Sequence, residues 1–162
     1  MRILLRTALA TLLADQLSKY LVVHVLNLEQ ALVYPVWSPW LEFRMAWNDG
    51  INFGLLSSSA ELARWLLIAL AVGISVWIWF WAARERKNRG VQAFSGLLIG
   101  GALGNVIDRL LYGAVADFLN MSVPGIDNPF SFNVADVAIF FGALGLVFCS
   151  GQGKTPVTRR KS

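Results

Sequence analysis

The chain has 162 residues and a mass of 17.9 kDa, the size of one soluble domain, but 56% of it is hydrophobic, 15% is charged and the mean hydropathy is +0.56. That balance suits lipid as the solvent better than water. One cysteine, Cys149, and one histidine, His24, exclude an internal disulfide framework and a thiolate zinc cage, and leave little from which to build a histidine metal site or a Ser-His-Asp triad.

A helix that crosses a bilayer needs roughly 20 apolar residues, because the hydrocarbon layer is about 30 Å thick and each residue rises about 1.5 Å. Four stretches reach that length, at approximately 3–25, 62–83, 91–111 and 132–150. The first begins with basic residues, as a signal peptide does. Asp15, Gln16 and Lys19 interrupt it, however, and no small-residue cleavage pattern follows, so it is expected to be a retained helix. Within it, Asp15 and Lys19 stand four residues apart with the acid first, the favoured order for a helical ion pair. The expected role is a buried structural pair or a bridge to a neighbouring helix, out of reach of the polar groups described below. Ser18 beside Lys19 points about 100° away from it and is no nucleophile for that base.

The loop 26–61 is long for a connection. Its aromatic and β-branched content from Val33 to Trp47, broken by Pro35 and Pro39, predicts short strands lying on the membrane surface. Trp37, Trp40, Phe43 and Trp47 suit an interfacial aromatic belt or a cover over a site. The second span is the cleanest, with Arg64 its only charge. In the third, Gly96, Gly100, Gly104 and Asp108 recur every four residues on one helix face, a pattern that means close helix packing, and that face leads toward Asn105, Asp108 and Arg109. Asp108 and Arg109 point in different directions, so each is expected to find a partner on another element. Asp117 follows in the loop 112–131, and Asn133 and Asp136 open the fourth span.

Charge sets the orientation. Ten of the fourteen basic residues stand at the start of span one, join spans two and three, or follow span four in the tail 151–162, whereas the loops 26–61 and 112–131 hold Arg44 with Glu29, Glu42, Asp49, Glu61, Asp117 and Asp127. The positive-inside rule puts both termini in the cytoplasm, and the net charge of +4 reads as a topology signal and lipid-headgroup contact rather than a nucleic-acid surface. Asp108, Arg109, Asp117, Asn133 and Asp136 then gather near the outer leaflet. Two carboxylates held close together cannot both ionise cheaply, which makes a water-activating pair of Asp117 and Asp136. Two unrelated boundary aspartates facing water would fit the residue types equally well. The expected architecture is a single domain, 1–162: an α-helical integral membrane protein with four transmembrane helices and a small extracytoplasmic β-rich region.

At these residues the sequence closely resembles the bacterial lipoprotein signal peptidases, or type II signal peptidases, a family of four-span aspartic peptidases. The matching pieces are 15–19 in span one, Asn48-Asp49-Gly50 with Phe53-Gly54 in the outer loop, 100–109 in span three, and the segments 113–118 and 132–136 around the two aspartates. Asn52 departs from the pattern, standing where the family more often has a small apolar residue. The resemblance implies that Asp117 and Asp136 are the catalytic dyad, with Asp15, Lys19, Asn48, Gly50, Asn105, Asp108, Arg109 and Asn133 in supporting or substrate-binding positions. It implies cleavage of diacylglyceryl-modified prolipoproteins just before the lipidated cysteine, in the bacterial cytoplasmic membrane. It calls for no metal or other cofactor; the expected partners are those substrates and membrane lipids, acting on a monomer. A proton-linked transporter would need the carboxylates spread across the bilayer, and a non-enzymatic assembly protein would leave them without a task.

Overall fold

The computed structural model describes residues 1–50, 57–126 and 128–150. Asn52, Phe53, Gly54, Asp127 and the basic tail lie outside them. In chain order the elements are α1 (Arg2–Tyr20), prolonged by a π-helical turn at Leu21–Val25, α2 (Leu28–Ala31), β1 (Val33–Trp37), β2 (Leu41–Asn48), α3 (Ser57–Arg84), α4 (Arg89–Tyr112), β3 (Val115–Asn120) and α5 (Val134–Ser150). The four long helices match the four apolar stretches, and the expected strands form in the first long loop. By length and composition, two helices among the described residues suffice to cross a membrane, Ala60–Arg84 and Arg89–Tyr112; the apolar helix Val134–Cys149 is shorter.

The distribution of side chains is the reverse of a water-soluble protein's. Leu5, Leu9, Leu13 and Leu17 form an exposed stripe on α1, and Trp77, Phe80, Phe140, Phe141 and Phe148 stand out from α3 and α5. Asp15, Lys19, Gln92, Asn105, Asp108 and Asn133 are buried. Exposed apolar surface on this scale needs an apolar surrounding, and buried polar groups need partners inside the protein.

The glycine stripe explains how α1 and α4 come together. A Cβ on Gly96 would lie 2.6 Å from the Leu4 carbonyl, one on Gly100 would lie 2.5 Å from the Ala8 carbonyl, and one on Gly104 would strike the Asp15 carboxylate. The two helices therefore run parallel with backbones in near contact. Gly101, turned toward the other side, serves α5 in the same way: a Cβ there would lie only 2.5 Å from the Ala135 carbonyl. Gly113, at φ +85°, ends α4 with its N–H on the Arg109 carbonyl and turns the chain into β3. Such a φ costs glycine nothing and other residues roughly 1 kcal/mol or more.

The sheet is antiparallel in the order β1-β2-β3, with Asn48 opposite Val115 and Ala46 opposite Asp117. Past β3 the chain loops back so that the Phe132 carbonyl accepts the N–H groups of Phe118 and Leu119, and the Phe132 N–H reaches the Leu119 carbonyl. Buried Asn120 closes this loop by donating to the carbonyls of Asn128 and Phe130. The start of α5 is thereby fixed beside β3.

Candidate active site

Asp117 sits in the middle of β3, 3% exposed, and shares a sheet face with Asn48, its diagonal neighbour on β2. The Asn48 amide donates to Asp117 Oδ2 at 3.0 Å, while Asn48 Oδ1 accepts the Gly50 N–H at 2.9 Å. Gly50 holds this turn at φ +82°, where a Cβ would also strike the Leu67 side chain. On the other oxygen, Asp117 Oδ1 accepts the Asn133 amide at 2.6 Å.

Asp136 is the third residue of α5 and is locked to its first turn. Asn133 caps the helix: its Oδ1 accepts the Asp136 N–H at 2.9 Å, and Asp136 Oδ2 accepts the Asn133 N–H at 3.3 Å, a reciprocal capping box. Asp136 Oδ1 takes the Asn105 amide from α4 at 2.9 Å. Asn133 thus touches both carboxylates, one through its side chain and one through its backbone. Burial pushes Asp117 up to about 6, with nearby Asp136 adding to the rise, while the Asn48 and Asn133 amides pull the other way.

Asp15 and Lys19 form the expected buried pair and bridge to a neighbouring helix, α4, but they reach further than expected. They were expected to stay clear of the outer polar groups, yet Lys19 Nζ lies 2.8 Å from Asp15 Oδ2, 2.7 Å from Asp108 Oδ2 and 3.2 Å from Asn105 Oδ1. The reason is depth: Lys19 stands about 26 Å along α1 from Arg2 and Asp108 about 28 Å along α4 from Arg89, on helices that run parallel. Asp108 therefore has its partner on another element, as expected. Arg109's one hydrogen bond among the described residues goes to the Asn105 carbonyl of its own helix, while its charge interacts with Asp117 on β3 and Asp136 on α5.

Sequence reasoning missed Gln16 as a site residue, although it lies in the motif. Its Nε2 donates to Asp15 Oδ2, Asp108 Oδ1 and the Gly104 carbonyl. A glutamine beside an intramembrane aspartate was the available signal. The backbone amides of Ala116 and Ala135, which donate to Asp108 and Asp15, left no signal at all.

A groove of about 210 Å³ opens between α3, α4 and α5, lined by Leu67, Leu70 and Ile74, by Leu98, Ala102, Arg109 and the Asp136 donor Asn105, and by Ile139. Its walls are apolar except at the end formed by Asn105 and Arg109. Among the described residues no three His, Cys, Asp or Glu side chains come together as metal ligands would.

Comparison with known proteins agrees with this arrangement. Residues 7–151 match the family model described as signal peptidase II. A lipoprotein signal peptidase of Methylobacterium sp. (strain 4-46) is 38% identical over 145 residues, covering 88% of this chain and 85% of that protein. One of Rhodopseudomonas palustris (strain TIE-1) is 35% identical, with 93% of each chain covered. Two solved structures of bacterial membrane enzymes, each 24% identical, share the fold with TM-scores of 0.79 and 0.76; the first covers 95% of this chain and 96% of its own, the second 97% and 95%. With its matched residues spanning nearly the whole chain, on a fold shared with membrane enzymes, the protein belongs to the signal peptidase II family.

Proposed function

We propose that this membrane peptidase removes signal peptides from diacylglyceryl-modified prolipoproteins, cutting before the lipidated cysteine, with Asp117 and Asp136 as the reacting pair. One observation carries the assignment: two carboxylates from separate elements are bridged by Asn133, and Asn105, which lines the polar end of an apolar groove, donates to one of them, Asp136. The aspartic character of the family and the names of its relatives support the reaction class.

Asp117, the more buried member and the one raised to about 6, suits the proton-holding role. Its carboxylic acid polarises the scissile carbonyl. As half-buried Asp136 takes a proton from the attacking water, Asp117 gives its own to the carbonyl oxygen, forming a gem-diol; Asp136 then passes its proton to the departing amine as the C–N bond breaks, and a gem-diol hydroxyl returns a proton to Asp117. Asn48 and Asn133 hold the pair, and Arg109, whose charge acts on Asp117 and Asp136 and which lines the groove, is placed to meet substrate backbone or lipid carbonyls. The groove takes apolar chain: along α4 from Arg109 to Leu98 it runs about 16 Å.

In this reading all four long helices span the bacterial inner membrane within one domain, both termini are cytoplasmic, the site opens toward the outer leaflet, and the monomer is the working unit. The grouping of basic residues at 84–89 and in the tail supports the orientation. Purified protein in detergent should cleave a diacylglyceryl-modified signal-sequence peptide on the amino side of the modified cysteine and leave the unlipidated peptide intact. Equal cleavage of both peptides, or of neither, would overturn the substrate assignment.

A further inference from the structure

The ion cluster behind the two aspartates has a symmetry the reaction does not use directly. Asp15 Oδ1 accepts the N–H of Ala135, the residue before Asp136, at 2.9 Å. Asp108 Oδ2 accepts the N–H of Ala116, the residue before Asp117, at 3.2 Å. Lys19 ties the two acids together at 2.8 and 2.7 Å, and Gln16 ties them a second time at 3.1 and 3.0 Å. All three charged side chains are 5% exposed or less. The lack of a side chain at Gly104 is part of the device, because a Cβ there would occupy the place of the Asp15 carboxylate.

We propose that Asp15, Lys19, Asp108 and Gln16 form a clamp whose function is to fix the separation of the two reacting carboxylates, by holding the backbone amide next to each from a single charged centre. The proposal rests on the assignment of Asp117 and Asp136 as the reacting pair. It makes these four positioning residues rather than a general stabilising pair. Two carboxylates must meet one water and one carbonyl at once, β3 and α5 are otherwise joined near the site through Phe132 and Asn133, and a displacement of about 1 Å can cost on the order of 100-fold in rate. The net charge of the cluster, two acids to one lysine, is accommodated by the two backbone N–H groups and the Gln16 amide.

The chemistry of the clamp separates two kinds of substitution. Asp15→Asn and Asp108→Asn keep an oxygen for the Ala135 and Ala116 amides, whereas Asp15→Ala and Asp108→Ala release them. Cleavage of the lipidated peptide by folded, monodisperse protein in detergent should show kcat down about 100-fold in the alanine variants, with KM within about 3-fold, and down less than about 10-fold in the asparagine variants. A residue that only stabilised the fold would lower yield and leave kcat per folded molecule alone. Folded alanine variants that retain kcat within about 3-fold, or whose loss lies in KM, would overturn the clamp.

Should the alanine variants not fold, Lys19→Met and the double variant Lys19→Met/Asp15→Asn decide instead. The single change leaves two carboxylates facing each other and pushes the amides apart, and the second relieves the repulsion, so kcat should recover at least about 10-fold. No recovery would overturn the proposal. Asp117→Asn and Asp136→Asn, assayed alongside, report separately on the reacting pair: turnover by either refutes that assignment, while the clamp is read with both aspartates intact.

Discussion

Asp117→Asn is expected to produce an enzyme that is dead and, near neutral pH, more stable than the wild type. The folded protein holds the Asp117 proton more tightly than the unfolded chain, at about 6 against 3.8. The associated stability is full below about pH 3.8 and is lost as pH rises through about 6. Above that, the folded state carries a buried carboxylate at a cost of about 3 kcal/mol. Asparagine does not titrate and escapes the cost. It loses something too: the Asn48 and Asn133 amides both donate to position 117, and an asparagine side chain offers them a single oxygen. Neither neighbour can flip freely, because Asn48 Oδ1 holds the Gly50 N–H and Asn133 Oδ1 holds the Asp136 N–H. One lost hydrogen bond costs about 1 to 2 kcal/mol. The net gain is therefore about 1 to 2 kcal/mol at pH 8, falling to nothing or slightly below by pH 4. For a chain of this size that is a rise in Tm of about 3 to 6 °C. Seven tryptophans make fluorescence-detected melting in detergent practical, at one fixed heating rate across pH 4 to 8. A variant no more stable than wild type at pH 8, or more stable by the same amount at every pH, would refute the reasoning.

Further predictions follow from the packing and the topology. Gly104→Ala should reduce kcat strongly, because its Cβ would displace the Asp15 carboxylate; Gly96→Ala, which strikes the Leu4 carbonyl far from the site, should lower stability by about 1 to 3 kcal/mol, read as a fall in Tm, with kcat per folded molecule retained. Gly50→Ala combines a left-handed φ with a clash on Leu67 and should impair cleavage, read as initial rates on the lipidated peptide. A cysteine introduced at Arg86 in a Cys149→Ser background should react with a membrane-impermeant thiol reagent only after the cells are opened; labelling in intact spheroplasts would reverse the proposed orientation. EDTA should leave cleavage unchanged, and an EDTA-sensitive rate restored by a divalent cation would call for a metal-assisted site.

The helices were legible because each apolar run is a continuous local signal, and the strands of the first loop were legible from their β-branched and aromatic residues. The glycine stripe announced a close helix contact, which Leu4 and Ala8 supply on α1. The two aspartate motifs were legible through the family resemblance; residue types alone left open whether Asp117 and Asp136 met at all. What escaped were contacts between groups far apart in the chain. Asp15 and the Ala135 amide are 120 residues apart, and Gln16 and Asp108 are 92 apart. Asp15 and Lys19 read as a self-sufficient pair because their i,i+4 spacing satisfies both charges locally, which hid the second acid that Lys19 reaches. The capping role of Asn133 followed a spacing visible in the sequence, an asparagine three residues before an aspartate at a helix start, but its bond to Asp117 required the fold.

Asp117 and Asp136 are proposed to act as one unit on a lipidated peptide, and the cleavage rates of folded Asp117→Asn, Asp136→Asn and the double variant with the diacylglyceryl-modified signal-sequence peptide decide whether they do. Each single variant should lose essentially all turnover while still binding the peptide, and the double variant should be scarcely worse than either, since removing one member already breaks the unit. Substantial turnover by either single variant would contradict the account.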